Sequence, residues 1–136
     1  MNILFIIIPK EKVAFIYEDY SIRQTLEKME YHRYSSIPMI NREGKYVGTI
    51  SEGDLLWYIK NHQQLDFKKS EEIPIQNVPR KHDNFGIYID TNIEDLIIAS
   101  TQQNFIPVLD DRDTFIGIVT RKDIIQYLLK KNNLNF

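Results

Sequence analysis

The sequence predicts an α+β fold made by tandem duplication, with two β-α-β-β-α repeats packed as one pseudo-symmetric module. Three observations predict it. Ile-Pro occurs at Ile37-Pro38 and again at Ile106-Pro107. Each proline is followed after the same interval by a glycine, Gly48 and Gly117, and each glycine by an aspartate, Asp54 and Asp123. Upstream, Ile16-Tyr17-Glu18-Asp19 matches Ile87-Tyr88-Ile89-Asp90. The boundaries expected from this grammar are residues 1–60 for the first repeat with an N-terminal strand segment, 61–72 for a polar linker, and 73–136 for the second repeat.

The elements follow in order. Ile3 to Ile8 is an apolar run ending at Pro9, far short of the roughly 20 residues a spanning helix needs. It has neither the basic start nor the cleavage site of a signal peptide. It reads as a buried strand or docked segment, and the protein is expected to be cytoplasmic, with no membrane partner. Val13 to Tyr17 and Phe85 to Ile89 read as short strands. Ser21-Ile22-Arg23-Gln24 and Thr91-Asn92-Ile93-Glu94 have the form of capping boxes, and Ile22, Leu26 and Met29 share one helical stripe. A hairpin follows, Ile37 to Ile40 and Tyr46 to Ile50 around a turn at Asn41 to Lys45. The second copy turns through Asp110 to Asp113. Closing helices start near Gly53 and Lys122, with apolar faces Leu55, Leu56, Ile59 and Ile124, Ile125, Leu128.

Composition narrows the chemistry. The 136 residues include no cysteine, which excludes disulfide frameworks, thiolate metal sites and cysteine nucleophiles. The formal charge is −2 from 17 basic and 19 acidic residues, so nothing draws the chain as a whole to nucleic acid or an anionic membrane. His32, His62 and His82 lack metal-ligand spacing, Glu27 and Glu30 read as a solvated helix face, and no phosphate-loop or nucleophile-elbow motif occurs. Trp57, beside Leu55 and Leu56, is either core or a subunit contact.

The recurring Gly-(apolar)2-Ser/Thr-x-x-Asp segments are Gly48-Thr49-Ile50-Ser51-Glu52-Gly53-Asp54 and Gly117-Ile118-Val119-Thr120-Arg121-Lys122-Asp123. With their upstream hairpins they resemble the CBS domain, named for cystathionine β-synthase, over about Ile8 to Leu129. The resemblance implies a stand-alone tandem pair that binds an adenine nucleotide or adenosine and associates as a homodimer. It would signal to an effector protein whose identity the chain does not reveal. It implies no enzyme activity and no required cofactor. A Ser/Thr and an Asp in a first helical turn can cap backbone N–H groups. The same carboxylate can instead accept both hydroxyls of a ribose cis-diol, beside a helix N-terminus that favours phosphate.

By the same resemblance, each site combines one repeat's first strand and Ile-Pro segment with the other repeat's Ser/Thr-x-x-Asp. The first set is Lys12, Ala14, Arg33, Tyr34, Ser35 and Ser36 with Ile118, Thr120, Arg121, Lys122 and Asp123. Its small residues would admit a base, and its four cations would surround phosphate. The second set joins Asn84, Phe85, Gln102, Gln103, Asn104 and Phe105 to Thr49, Ser51, Gly53 and Asp54. There Phe85 and Phe105 stand in place of Ala14 and Ser36, so the second base slot is expected to be filled by two rings. Cyclic di-AMP is the alternative ligand, since Lys12-Val13-Ala14, Tyr34-Ser35 and Arg121-Lys122 look like the pattern of CBS pairs that bind it. A ligand-free interaction module is the rival from another class.

Overall fold

Each Ile-Pro run and the glycine-bearing run after it pair antiparallel across a tight turn, and this hairpin is the centre of each repeat. In the first, β3 (Ser36–Ile40) pairs with β4 (Tyr46–Ser51); in the second, β6 (Phe105–Leu109) pairs with β7 (Phe115–Thr120). Both hairpins carry a register shift at the same place, between Met39 and Ile40 and between Val108 and Leu109. The turns use one device with different residues. Asn41 Oδ1 accepts from the N–H groups of Glu43 and Lys45, and Asp110 Oδ1 from those of Arg112 and Thr114. The left-handed position is Gly44 (φ 83°) in the first turn and Asp113 (φ 62°) in the second.

The computed structural model describes residues 3–63 and 65–133, which form two compact units, 14–83 and 3–13 with 84–133. In the first unit β2 (Ile16–Tyr17) runs parallel to β3, giving the order β2-β3-β4; α1 (Ile22–His32) and α2 (Glu52–Asn61) complete the repeat. In the second, β5 (Ile87–Tyr88) runs parallel to β6 and β1 (Ile8–Pro9) pairs antiparallel with β7, giving β1-β7-β6-β5 with α3 (Ile93–Ser100) and α4 (Arg121–Lys131). The two cores match in kind. Ile16, Ile22, Ile37, Met39 and Ile50 anchor one; Ile87, Leu96, Ile106, Val108, Val119 and Ile124 anchor the other. Burying such side chains stabilises by about 1.5–3 kcal/mol each before entropy is counted.

Several elements differ from the sequence reading. The strands expected over Val13 to Tyr17 and Phe85 to Ile89 shrink to two residues each. Val13 instead closes a 3-10 turn by donating to Lys10 O, and both backbone groups of Phe85 are taken by the Gln103 side chain. Ile3 to Ile8 docks as expected, with Ile3, Ile6 and Ile7 on the core of 84–133, but it begins as a 3-10 turn with Leu4 and Phe5 outward. The second helix cap is Asn92, not Thr91, because the Asn92 side chain accepts from Asp95 N. The box at Ser21 and Gln24 forms in full. On the closing helices Leu55 and Ile124 are buried, whereas Leu56, Ile59 and Ile125 are exposed. The apolar faces of α2 and α4 are therefore wider than their own units cover.

The polar stretch after α2 is folded onto the first unit. Arg23 on α1 pairs with Glu27 and Glu71 and lies over the Phe67 ring, and Ser70 is buried with its hydroxyl donating to Phe67 O at 2.5 Å. Further on, Ile22 N donates to Ile73 O and Ile75 N to Tyr20 O, and Ile75 and Val78 enter the core. Repeat boundaries in the sequence and compact units in space thus follow different partitions.

Gly117 sits where β1 crosses β7. A Cβ there would lie 2.2 Å from the Ile8 carbonyl oxygen, at a φ of +158°. Gly117→Ala should destabilise by about 1–3 kcal/mol through overpacking against backbone. Gly53→Ala, whose Cβ would meet nothing nearer than 3.7 Å on α2, should stabilise by roughly 0.5–1 kcal/mol. Urea unfolding of both variants measures the contrast.

Candidate functional site

Each repeat places its Ser/Thr-x-x-Asp where the last strand turns into the closing helix. The corner is fixed the same way twice: Glu52 N donates to Ser35 O and Arg121 N donates to Asn104 O, both at 2.9 Å. The hydroxyl then caps the helix, Ser51 Oγ accepting from Asp54 N and Thr120 Oγ1 from Asp123 N, both at 3.1 Å. These bonds satisfy N–H groups that a helix start leaves without partners.

The two aspartates then diverge. Asp54 is buried, and both of its carboxylate oxygens are engaged: Oδ2 accepts from Ser51 N at 3.0 Å and Oδ1 from Lys81 N at 3.1 Å. Asp123 is half-buried, and among the described residues its carboxylate accepts no hydrogen bond and forms no ion pair. The same motif therefore holds a saturated carboxylate in one copy and an available one in the other. An available carboxylate on a first helical turn can receive two hydroxyl donors, which is what a cis-diol presents.

The other expected residues of the first set fall in both units. Ile118, Thr120, Arg121 and Lys122 adjoin Asp123, and the 3-10 turn Lys10–Lys12 packs beside β7, so Lys12 shares their unit. Lys12, Arg121 and Lys122 are exposed. Arg121 is partly engaged, its Nε donating to Ser100 O at 2.6 Å. Ala14 and Arg33 to Ser36 lie in the unit 14–83. Arg33 is exposed and ends α1 in a left-handed conformation, φ 58°, its N–H donating to Glu30 O and Met29 O. Ala14 is buried in the core and Tyr34 packs partly against it. Ser35 is exposed, and Ser36 opens β3 opposite Ser51.

The second set requires a correction. Phe105 is buried, but Phe85 is 50% exposed, so the Phe85 ring is not core. The cause is Gln103, named in the second set without the role its side chain plays here. Its buried amide accepts from Phe85 N and donates to Phe85 O and Phe105 O. It holds the Phe85 backbone as a strand partner would and leaves the ring outside. Asn84 Nδ2 also donates to Phe105 O, at 3.1 Å. Lys81 and Asp83 were likewise missed, because a contact made by a backbone N–H has no side-chain signature.

Groups with displaced proton affinities lie away from these corners. Asp19 is held below the usual carboxylate range chiefly by a hydrogen bond from Arg42, whose own pKa is raised by the same bond, and Tyr88 is raised by its hydrogen bond to Asp113. Among the described residues, no three His, Asp or Glu side chains are grouped to hold a metal ion, and no helix is long and apolar enough to cross a membrane.

Comparison with known proteins bears on these paired corners. The family model described as the CBS domain matches residues 7–61 and again 75–130. This chain belongs to the CBS domain family. An uncharacterized protein of Methanocaldococcus jannaschii is 26% identical, over 88% of either chain. The A-adding tRNA nucleotidyltransferase of Aquifex aeolicus is 31% identical over 82% of this chain but only 13% of its own length. Among solved structures, CbpB in complex with c-di-AMP superimposes with a TM-score of 0.85 at 26% identity, covering 98% of this chain and 87% of that one. CBSX2 in complex with AMP gives a TM-score of 0.74 at 22% identity, covering 96% and 98%. The mixed α+β tandem fold is that of CBS pairs.

The two aspartates should separate in stability. Asp54→Ala strips a charged acceptor from two backbone N–H groups and should cost about 1.5–3 kcal/mol. Asp123→Ala loses only a favourable charge at a helix start, about 0.3–1 kcal/mol. Thermal and urea unfolding of the two variants side by side is the check.

Proposed function

We propose that this CBS pair is a regulatory sensor of adenine nucleotides, AMP, ADP, ATP or an adenosine-type ligand, and that it signals its occupancy to a partner protein. One observation carries the reading: among the described residues the Asp123 carboxylate has no hydrogen-bond or ion-pair partner, whereas both oxygens of Asp54 are engaged. Asp123 would receive the ribose hydroxyls, Thr120 would hold the helix start, and Arg121 and Lys122 would face phosphate. The resemblance adds Lys12, Ala14, Ile118 and Arg33 to Ser36 to the same ligand. With Nε committed to Ser100 O, Arg121 retains its terminal nitrogens for an anion. Ligand binding would bias the chain toward one conformational state, which the partner would read.

Cyclic di-AMP is the second reading, favoured by the likeness to CbpB, solved in complex with c-di-AMP. Its ribose is esterified at one of the two hydroxyls, so it would give Asp123 a single donor. Calorimetry with AMP, ATP, adenosine and cyclic di-AMP discriminates these readings. Heat with none of them would favour a ligand-free interaction module. Asp123→Ala should weaken a ribonucleotide with a free cis-diol by roughly 1.5–3 kcal/mol, and an unchanged affinity would remove Asp123 from the site.

The exposed helix flanks support a homodimer. Between α1 and α2 runs a groove of about 550 Å³ lined by Leu26, Met29, Leu55, Leu56 and Ile59 with Arg33 at its rim. Leu56 is 58% exposed and Trp57 56%. A second copy presenting the same face would cover them in an isologous contact. Leu56→Asp should shift the chain from dimer to monomer in light scattering while leaving its circular dichroism unchanged.

A further inference from the structure

The segment Arg80 to Asp83 is hydrogen-bonded to the first repeat at two points. Lys81 N donates to Asp54 Oδ1 at 3.1 Å, and Asp83 Oδ1 accepts from Thr49 N at 3.0 Å. Arg80 Nε donates to the same Asp83 oxygen at 2.7 Å, with its side chain mostly covered. The segment also lies close over β4, since a Cβ on Gly48 would come within 2.4 Å of Asp83 Oδ1 and 2.6 Å of Arg80 Nε. Asp54 and Thr49 are both buried beneath it.

We propose that Arg80 to Asp83 is an internal strap that occupies the first repeat's nucleotide-binding position, leaving one working site per chain. This rests on the proposed adenine-nucleotide reading and explains which copy of the motif is used. A ribose at Asp54 would have to displace Lys81 N–H from a buried carboxylate and leave that donor without a partner, at about 1–3 kcal/mol. A phosphate would also meet the Asp83 carboxylate, which carries the wrong charge for it. The second repeat has no such strap on its aspartate. There β7 is covered by regular pairing with β1, Pro9 opposite Gly117, and among the described residues no hydrogen bond or ion pair reaches the Asp123 carboxylate. Blockage at Asp54 therefore comes from the chain's own backbone and one carboxylate.

Two substitutions release the strap in different ways. Asp83→Ala removes the anchor to Thr49 and Arg80, and Lys81→Pro removes the N–H that holds Asp54. AMP binding is measured by calorimetry on the full chain, with circular dichroism to confirm the fold. The wild type should bind one AMP per chain and either released variant two. In an Asp123→Ala background, where the wild-type site is weakened, Asp83→Ala should restore one AMP per chain. Asp83→Asn, which keeps an acceptor for Thr49, should stay at one.

One AMP per chain in wild type and in both released variants would overturn the strap, and so would two in the wild type. Failure of the functional reading looks different, with no AMP bound by the wild type. In that event a site gained on Asp83→Ala still supports the strap, and none gained overturns it. Hydrogen exchange adds an arm that needs neither ligand nor substitution. The Lys81 and Thr49 amides should exchange well below the free-peptide rate, and exchange of Lys81 at that rate would overturn the proposal.

Discussion

The constraint on which the structure depends is that the last strand of each repeat has an outer edge to cover. An uncovered edge presents unpaired N–H and C=O groups and invites association. The chain covers each edge with the segment that precedes a repeat: Ile8–Pro9 lies along β7, and Arg80 to Asp83 reaches β4 through Thr49 N. Both arrangements bring foreign atoms against the same motif position, which is glycine in each copy, Gly48 and Gly117. The glycine of the repeated motif is thus first a packing requirement. Its distance from the aspartate then sets what else the covering segment can touch.

The difference between the two copies grows from how each edge is covered. A backbone ladder, as between β1 and β7, spends its hydrogen bonds on the strand and leaves the helix corner alone. A side-chain anchor at Asp83 lets the backbone run on to Lys81 and reach Asp54. Identical local grammar therefore yields a carboxylate committed to structure in one repeat and one open to solvent chemistry in the other. The hydroxyl half of the cap is the same in both, Ser51 Oγ on Asp54 N and Thr120 Oγ1 on Asp123 N, and the closing helices begin at equivalent residues.

Much of this was legible in the sequence because it is local. The hairpins, the caps at Ser21, Ser51 and Thr120, and the core stripe through Ile22 and Met29 follow from spacing and side-chain type alone. What was not legible depends on distant backbone. The Lys81 to Asp54 bond spans 27 residues and uses a donor every non-proline residue possesses. Gln103 imitates a strand partner for Phe85, a role no periodicity announces, and so the ring expected inside is outside. A two-residue strand such as β1 has no alternation to read. The breadth of the apolar faces on α2 and α4 was visible, but its division into covered and uncovered flanks was not, since that depends on what each unit has available to pack there.

The paired turns at Asn41 and Asp110 carry a lesson about duplicated chains. Each side-chain oxygen gathers two backbone N–H groups, while the left-handed position passes from Gly44 to Asp113, where Tyr88 donates to the aspartate from the neighbouring strand. A glycine adopts that conformation freely, and an aspartate tolerates it better than most residues. After duplication, the two copies have kept the hydrogen-bonding pattern and let the letters drift. Counting identities between them understates their kinship, because inheritance here is recorded in acceptors and dihedral angles.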